Sequence, residues 1–458
     1  MNEQYTYHAI KVDHNVCYGC THCMHVCPTN SIRVNNGKAH ILIDKCIDCG
    51  ECLKNCPVNA IYVDQDDFSN IYEYKYRVAL VPAVLTGQFP TNISEEEIFG
   101  EMNKLGFTHV YHAEDMAPVI KELINYQISE DTDKPLISTF CPAVVRLIQV
   151  KFPLLLPHLV DTLPPIDASA IYYRKLLVEE GIPENEIGIF YITPCAAKIA
   201  SIKNNLSSSN SNINGVINMS FLYNRIYGAI KNNNSCTTKN PLLSELTQDS
   251  IKWSLSRGEL SQIDGTGLAV DEINNVIEFL ELLENGEVPE LDFLELRTCD
   301  QGCAGGALLQ GNRFLTVERI KTRVKKLKIN SFQESYWDKC KDVFNNKACL
   351  KYEVKEAKPA VLDKDFSKAL KKMERIRDLM CFLPGIDCGA CGSPSCQTLA
   401  EDIVQGHSNL SNCVFLQRMM EKKRKLHSDH AIRIIEGTWG KDRLDKDCKK
   451  KGAKNEDI

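Results

Sequence analysis

Cys141, Cys195, Cys299 and Cys303 are the residues in this chain whose type and placement most clearly suit chemistry. They lie in three short segments: Thr139-Phe140-Cys141-Pro142-Ala143-Val144, Thr193-Pro194-Cys195-Ala196-Ala197-Lys198, and Arg297 to Gly306. Thiolates are soft metal ligands, and four gathered from three distant loops suit one iron–sulfur cluster inside a globular domain. Zinc knobs usually draw their ligands from closer in sequence.

Two further cysteine sets have ligand spacing. Cys17, Cys20, Cys23 and Cys27, with Pro28 behind them, recur 29 residues later as Cys46, Cys49, Cys52 and Cys56 with Pro57. This is the bacterial two-cluster ferredoxin spacing, in which three cysteines of a tight turn hold one 4Fe–4S cluster and the fourth crosses to the other. The expected ligand sets are therefore Cys17, Cys20, Cys23 and Cys56, and Cys46, Cys49, Cys52 and Cys27. The third set is Cys388, Cys391, Cys396 and Cys413, with Gly389 and Gly392 allowing tight turns around the sulfurs. Zinc is the competing use of such spacing. A duplicated spacing disfavours it more strongly than the single C-terminal set does. Of 21 cysteines, Cys236, Cys340, Cys349, Cys381 and Cys448 are left over and read as ordinary thiols.

The elements that must position these residues alternate between strand and helix. Arg77–Leu85 is apolar and leads to a turn at Thr86-Gly87. Leu136–Phe140 and Ile187–Ile192 read as short buried strands, and Ala168–Glu180 as a helix. Strands separated by helical runs imply an α/β domain with ligand loops at strand ends. Asn204–Asn214 and Asn232–Asn240 are rich in Asn and Ser and read as surface insertions. Phe366–Met380 has helical spacing, and a helix over Gln397–Gln405 would carry the chain from Cys396 toward Cys413. From Gln417 onward the chain is charged, which predicts a surface helix and then a loose tail.

The fold expectation is α/β, α+β overall, in five parts. Residues 1–70 form a ferredoxin-like two-cluster domain and 71–325 a central α/β domain. Residues 326–380 form a helical linker, 381–416 a small helical 4Fe–4S domain, and 417–458 a charged tail. A net charge of −6 argues against a nucleic-acid reader. No apolar run reaches the length of a membrane span, and the first residues lack the pattern of a secretory signal. A cytoplasmic, reducing setting is expected, where thiols stay available for metal.

The three central segments resemble the signature loops of FeFe (iron-only) hydrogenases, and the resemblance covers roughly residues 10–325. It implies that Cys141, Cys195, Cys299 and Cys303 hold a 4Fe–4S cluster. Cys303 would bridge to a two-iron unit carrying CO, cyanide and a dithiolate, the whole forming an H-cluster. Lys198 matches the lysine that donates to a cyanide ligand. Pro82 and Ala83, in Val81-Pro82-Ala83-Val84, match the loop that packs over the dithiolate. Gly302, Gly305 and Gly306 would let the metal unit approach the backbone. The C-terminal set resembles the small iron–sulfur domain of electron-transfer complex subunits and corrinoid proteins. The resemblance also implies a ferredoxin or other redox partner and the maturation proteins that build such a site.

The departures are specific. Phe140 occupies the position of a cysteine that passes protons in prototypical members, and Ser201 that of a glutamate in the same path. Thr193 and Arg297 replace methionines beside the two-iron unit, and Arg297 would add positive charge there. This pattern is similar to divergent, sensory branches of the family, which turn hydrogen over slowly. A signal would then leave through a signalling partner or by electrons. The expected function is reversible activation of hydrogen by an anaerobic, low-turnover oxidoreductase. The alternative is a non-catalytic iron–sulfur scaffold or redox protein without the two-iron unit.

Overall fold

The computed structural model describes residues 7–130, 133–206, 212–232, 247–326, 354, 362–363 and 365–444. By contacts the chain groups into two compact units. One comprises Met1–Ala9, Ile47–Gly50 and Val63–Ala357, and the other Ile10–Cys46, Glu51–Tyr62 and Lys358–Ile458.

The first unit is built on two parallel sheets. The larger runs His109–His112, Tyr76–Val81, Ile187–Thr193, Gly215–Asn218, with all neighbours parallel. Every residue of Ile187–Thr193 is buried, the pattern of a strand covered on both faces. The smaller sheet runs Gly267–Asp271, Phe293–Arg297, Leu136–Ile137, also parallel. Val81, Leu85, Phe89, Ile192 and Ile320 belong to the core of the larger sheet, and Cys303 packs against it. Val144, Leu147, Val276, Leu294 and Leu296 belong to the core of the smaller sheet, which includes Cys141 and takes Cys195 against its edge. The cysteine loops therefore join two apolar cores.

Ligand loops do follow strand ends. Cys141, Cys195 and Cys299 come just after Leu136–Ile137, Ile187–Thr193 and Phe293–Arg297. Pro142 opens the helix Pro142–Lys151, where a missing N–H costs nothing. Ala168–Glu180 is found as the helix Pro165–Glu179. Two local expectations are corrected. Leu136–Phe140 is strand only at Leu136–Ile137. Thr86-Gly87 is no turn but lies inside the helix Ala83–Gln88. A Cβ on Gly87 would sit 2.5 Å from Ile320 Cγ1, so that glycine permits a close crossing of the helix Arg313–Lys326. Residues 207–211 and 233–246, most of the expected insertions, lie outside the described residues.

In the second unit, Ile32–Asn35 pairs antiparallel with Lys38–Ile41. The C-terminal helices are Phe366–Phe382, Cys396–Val404, Val414–Lys422, Ser428–Trp439 and Lys441–Leu444. The expected loose tail is therefore helical and docked through Leu444. Asn36 and Gly37 donate their N–H groups to the carbonyls of Gly437 and Thr438, at 2.8 and 2.9 Å. Residues 445–458 lie outside the described residues. No helix among the described residues is long and apolar enough to cross a membrane.

Candidate metal centre and its cavity

The turn after Ile187–Thr193 is fixed by Thr193, whose hydroxyl donates to the Cys195 carbonyl at 3.1 Å and accepts the Cys195 N–H at 3.2 Å. Thr193 thus shapes the ligand loop. Thr298 stands between two thiols, its hydroxyl 3.6 Å from Cys141 Sγ and 3.8 Å from Cys299 Sγ. Burial raises the Cys195 thiol well above its ordinary range, and the nearby Cys299 and Cys141 raise it further. Four soft donors in this buried setting suit a cubane cluster, whose iron would hold them as thiolates.

The glycines after Cys299 are also required by local backbone packing. Gly302 has φ +62°, and a Cβ there would lie 2.8 Å from the Ser254 carbonyl oxygen. A Cβ on Gly306 would lie 2.4 Å from the Pro194 oxygen, and one on Gly305 2.1 Å from the Asp300 oxygen. The chain's own backbone crowds each of these three positions. The Cys303 N–H donates to the Ser254 carbonyl at 2.8 Å, so this packing sets where the Cys303 sulfur points.

Next to Cys303 is a small cavity of about 10 Å³. Pro82, Glu114, Phe140, Tyr191, Lys198 and Ser254 line it together with Cys303. Lys198 is 6% exposed. Its Nζ donates a long hydrogen bond to the Tyr191 hydroxyl at 3.4 Å and sits 4.0 Å from the centre of the Phe140 ring. Burial works against its charge. The Tyr191 oxygen and the Cys303 and Cys195 sulfurs outweigh burial, so the ammonium titrates above the usual lysine range. No carboxylate forms an ion pair with it among the described residues, and the Ser254 hydroxyl has no partner there either. A cavity lined by an unpaired ammonium, a free hydroxyl and a thiol fits a small anionic metal unit.

Phe140 is buried, and its ring also faces the Arg297 guanidinium at 4.3 Å. One aromatic ring thus lies against two buried cations. Arg297 pairs with Glu259 at 2.7 Å and Glu295 at 3.6 Å, so its charge is largely compensated locally. Glu259 also accepts from Ser138 at 2.7 Å, and Ser138 in turn accepts the Phe140 N–H at 3.2 Å. Ser201 lies on the helix Ala196–Leu206, away from the cavity lining.

Glu114 escaped the sequence reading. It follows the strand His109–His112, on the same strand-end edge as the cysteine loops, and that was the signal available. Its carboxylate accepts the Ala83 N–H with both oxygens at 3.2 Å, tying it to the Pro82-Ala83 loop. Burial pushes its carboxyl up to about 7, against the opposing pull of His112 and Lys198. His112 pairs with Glu95 at 3.0 Å.

Of the remaining ligand-spaced cysteines, Cys49 belongs to the first unit and the others to the second. Cys17, Cys20, Cys23 and Cys56 line one small cavity. Cys388, Cys391, Cys396 and Cys413 line another. The ferredoxin repeat persists in detail: Cys27 Sγ accepts the Ser31 N–H at 3.3 Å and Cys56 Sγ the Ala60 N–H at 3.2 Å. Cys46 and Cys52 are buried, while Cys49 packs against the core that contains Cys141. No described cysteine is in a disulfide, and Cys381 is exposed. Cys236, Cys340, Cys349 and Cys448 lie outside the described residues.

Comparison with known proteins agrees with this geometry. Residues 75–234 match the family described as iron only hydrogenase large subunit, C-terminal domain. This stretch, about a third of the chain, is similar to the iron-only hydrogenase family. The matched stretch holds Cys141, Cys195 and Lys198, whereas Cys299 and Cys303 lie beyond it and join them through the fold. Residues 9–57 match a 4Fe-4S dicluster domain and residues 383–415 an Fe-S cluster family. Among solved structures, HydA(deltaEFG), an FeFe-hydrogenase, is 14% identical over 62% of this chain and 94% of its own, with TM-score 0.48. A variant of FeFe-hydrogenase HydA1 from Chlamydomonas reinhardtii is 14% identical over the same shares, with TM-score 0.47. No curated protein matches the sequence.

Because Glu114 holds its proton more tightly when folded, its stabilising contribution is complete below its ordinary value of 4.5 and is lost as pH rises through about 7. Asp115, Asp167 and Glu295 are raised in the same sense. Glu114→Gln should therefore make the fall in apoprotein stability across that window shallower, by about 1–3 kcal/mol. Denaturant unfolding at several pH values measures this, and parallel curves for parent and variant would refute the assignment.

Proposed function

We propose that this protein is a slow FeFe hydrogenase that reversibly interconverts hydrogen with protons and electrons, suited to reporting hydrogen or redox state. The observation that carries the reading is the buried Lys198 ammonium, unpaired by any described carboxylate, beside the thiol of Cys303 in an enclosed cavity. An iron–sulfur scaffold without the two-iron unit would leave that cation uncompensated in a closed space, which is costly.

Cys141, Cys195, Cys299 and Cys303 would hold the cubane, with Cys303 shared toward the cavity. When bound, the two-iron unit would supply the metal centre and dithiolate base that polarise and split hydrogen. Lys198 would orient it by donating to an anionic ligand. Phe140, Pro82 and Ile166 would exclude water. Phe140 cannot carry a proton, so the carboxyl of Glu114, neutral or charged near pH 7, is the cavity group able to hold one. Electrons would pass by the ferredoxin-like clusters to a ferredoxin or similar carrier. Maturation proteins would supply the two-iron unit, and a signalling partner would read the redox state of the chain.

Cys303→Ser tests the reading. Hydrogen evolution from a reduced dye should fall to background, while the ferredoxin-like clusters keep their visible absorption. Unchanged evolution would place the reaction elsewhere.

The rate should also follow the proton-holding groups. With equal iron loading, Glu114→Gln should slow hydrogen evolution and Phe140→Cys should speed it, most clearly when paired with Ser201→Glu. A positioned proton donor contributes about a hundredfold to ten-thousandfold, which sets the ceiling for either change. Equal rates in all four proteins would show that proton delivery does not limit turnover.

A further inference from the structure

The C-terminal cysteine set is built onto the ferredoxin-like segment, inside one compact unit. Arg33 grips Asp402 with two bonds, at 2.6 and 3.1 Å, and Ser393 donates to the same carboxylate at 2.9 Å. Both side chains of the Arg33–Asp402 pair are mostly buried, and a bidentate pair fixes orientation as well as distance. Lys45 pairs with Glu401 at 3.0 Å. The Val34 N–H donates to the Gly392 carbonyl at 2.8 Å, so the strand Ile32–Asn35 bonds directly to the turn between Cys391 and Cys396. The Trp439 indole closes the other side by donating to the Ala390 carbonyl at 3.0 Å.

The contact continues between the ligand turns themselves. Gly389 lies between Cys388 and Cys391 with φ +70°, and a Cβ there would come within 2.8 Å of Met24 Cε and 3.1 Å of His25 Nε2. Met24 is fully buried and follows Cys23 on the short helix His22–His25. The backbone of one cysteine turn thus packs on the side chain next to a ligand of the other, with no gap between them. Cys388 is exposed, while Cys396 and Cys413 are buried.

We infer that the C-terminal set is a second electron port. Its cluster exchanges single electrons with the cluster of Cys17, Cys20, Cys23 and Cys56 across the Met24–Gly389 contact, and it presents them to solvent at Cys388. In each exchange the reduced ferredoxin-side cluster is oxidised by one electron and the C-terminal cluster is reduced by one. No bond or proton moves. A domain carried on a loose tether would have no use for a bidentate buried ion pair and strand-to-turn bonding at this place. The inference rests on the reading that both cysteine sets hold 4Fe–4S clusters, and the test separates the two.

The experiment uses full-length protein purified without oxygen. Metal analysis comes first: the cluster reading expects about sixteen iron atoms in cubanes and no stoichiometric zinc. Electron paramagnetic resonance of the dithionite-reduced protein follows. Parent protein should show spin-coupled, fast-relaxing lines in excess of those in Cys396→Ser, which lacks the C-terminal cluster. Arg33→Ala combined with Asp402→Asn should keep its iron but lose that excess coupling, which guards against misfolding of the cysteine variant. Full iron in the parent and in the Arg33→Ala, Asp402→Asn variant, with coupling identical in all three proteins, would overturn the port while leaving the clusters standing. Zinc at the C-terminal set would overturn the cluster reading there, and the port with it.

Discussion

A buried lysine ammonium with no carboxylate at ion-pair distance among the described residues is the constraint on which the central site turns. Lys198 is 6% exposed and meets only a phenol at hydrogen-bond distance and an aromatic face. Neither contact balances a full buried charge, so the cavity is complementary to an anion. The surroundings keep that demand in place. Cys303, on the facing loop, is held by a backbone bond to Ser254, and the glycines around it are dictated by close backbone packing. Glu114, the cavity's carboxyl group, is tied to the Ala83 amide rather than to the lysine.

Phe140 acquires a role beyond the loss of a thiol. Its ring lies between the Lys198 ammonium and the Arg297 guanidinium, and its amide is anchored through Ser138 to Glu259. Glu259 and Glu295 in turn compensate Arg297. Two buried carboxylates face Arg297, so its guanidinium adds less net charge to the site than an unpaired cation would. The aromatic ring and the compensated arginine form one network.

Much of this was legible in the sequence because cysteine spacing and strand-end placement are local, strongly constrained signals. The strands Tyr76–Val81, Leu136–Ile137 and Ile187–Thr193 were legible as apolar runs interrupted by helical ones, though their bounds were not. Gly87 was misread because a glycine that permits helix crossing looks the same in sequence as one that breaks a helix. Glu114 was missed because a buried acid among neighbouring acidic residues has no local signature; only the fold shows that it faces the cavity. The docking of the C-terminal helices was missed for a related reason. Their charged surface suggested a free tail, whereas the bonds that hold them, such as Gly437 to Asn36, are long-range backbone pairings.

The central claim is that the anion demanded by Lys198 is a ligand of a two-iron unit. An infrared spectrum of anaerobically matured protein, recorded for the parent and for Lys198→Met, tests it most directly. The account predicts metal-bound CO and cyanide bands in the parent, with the cyanide bands shifted or lost in the variant while cubane absorption persists. A parent with all cubanes loaded and no such bands, or bands identical in the two proteins, would contradict it.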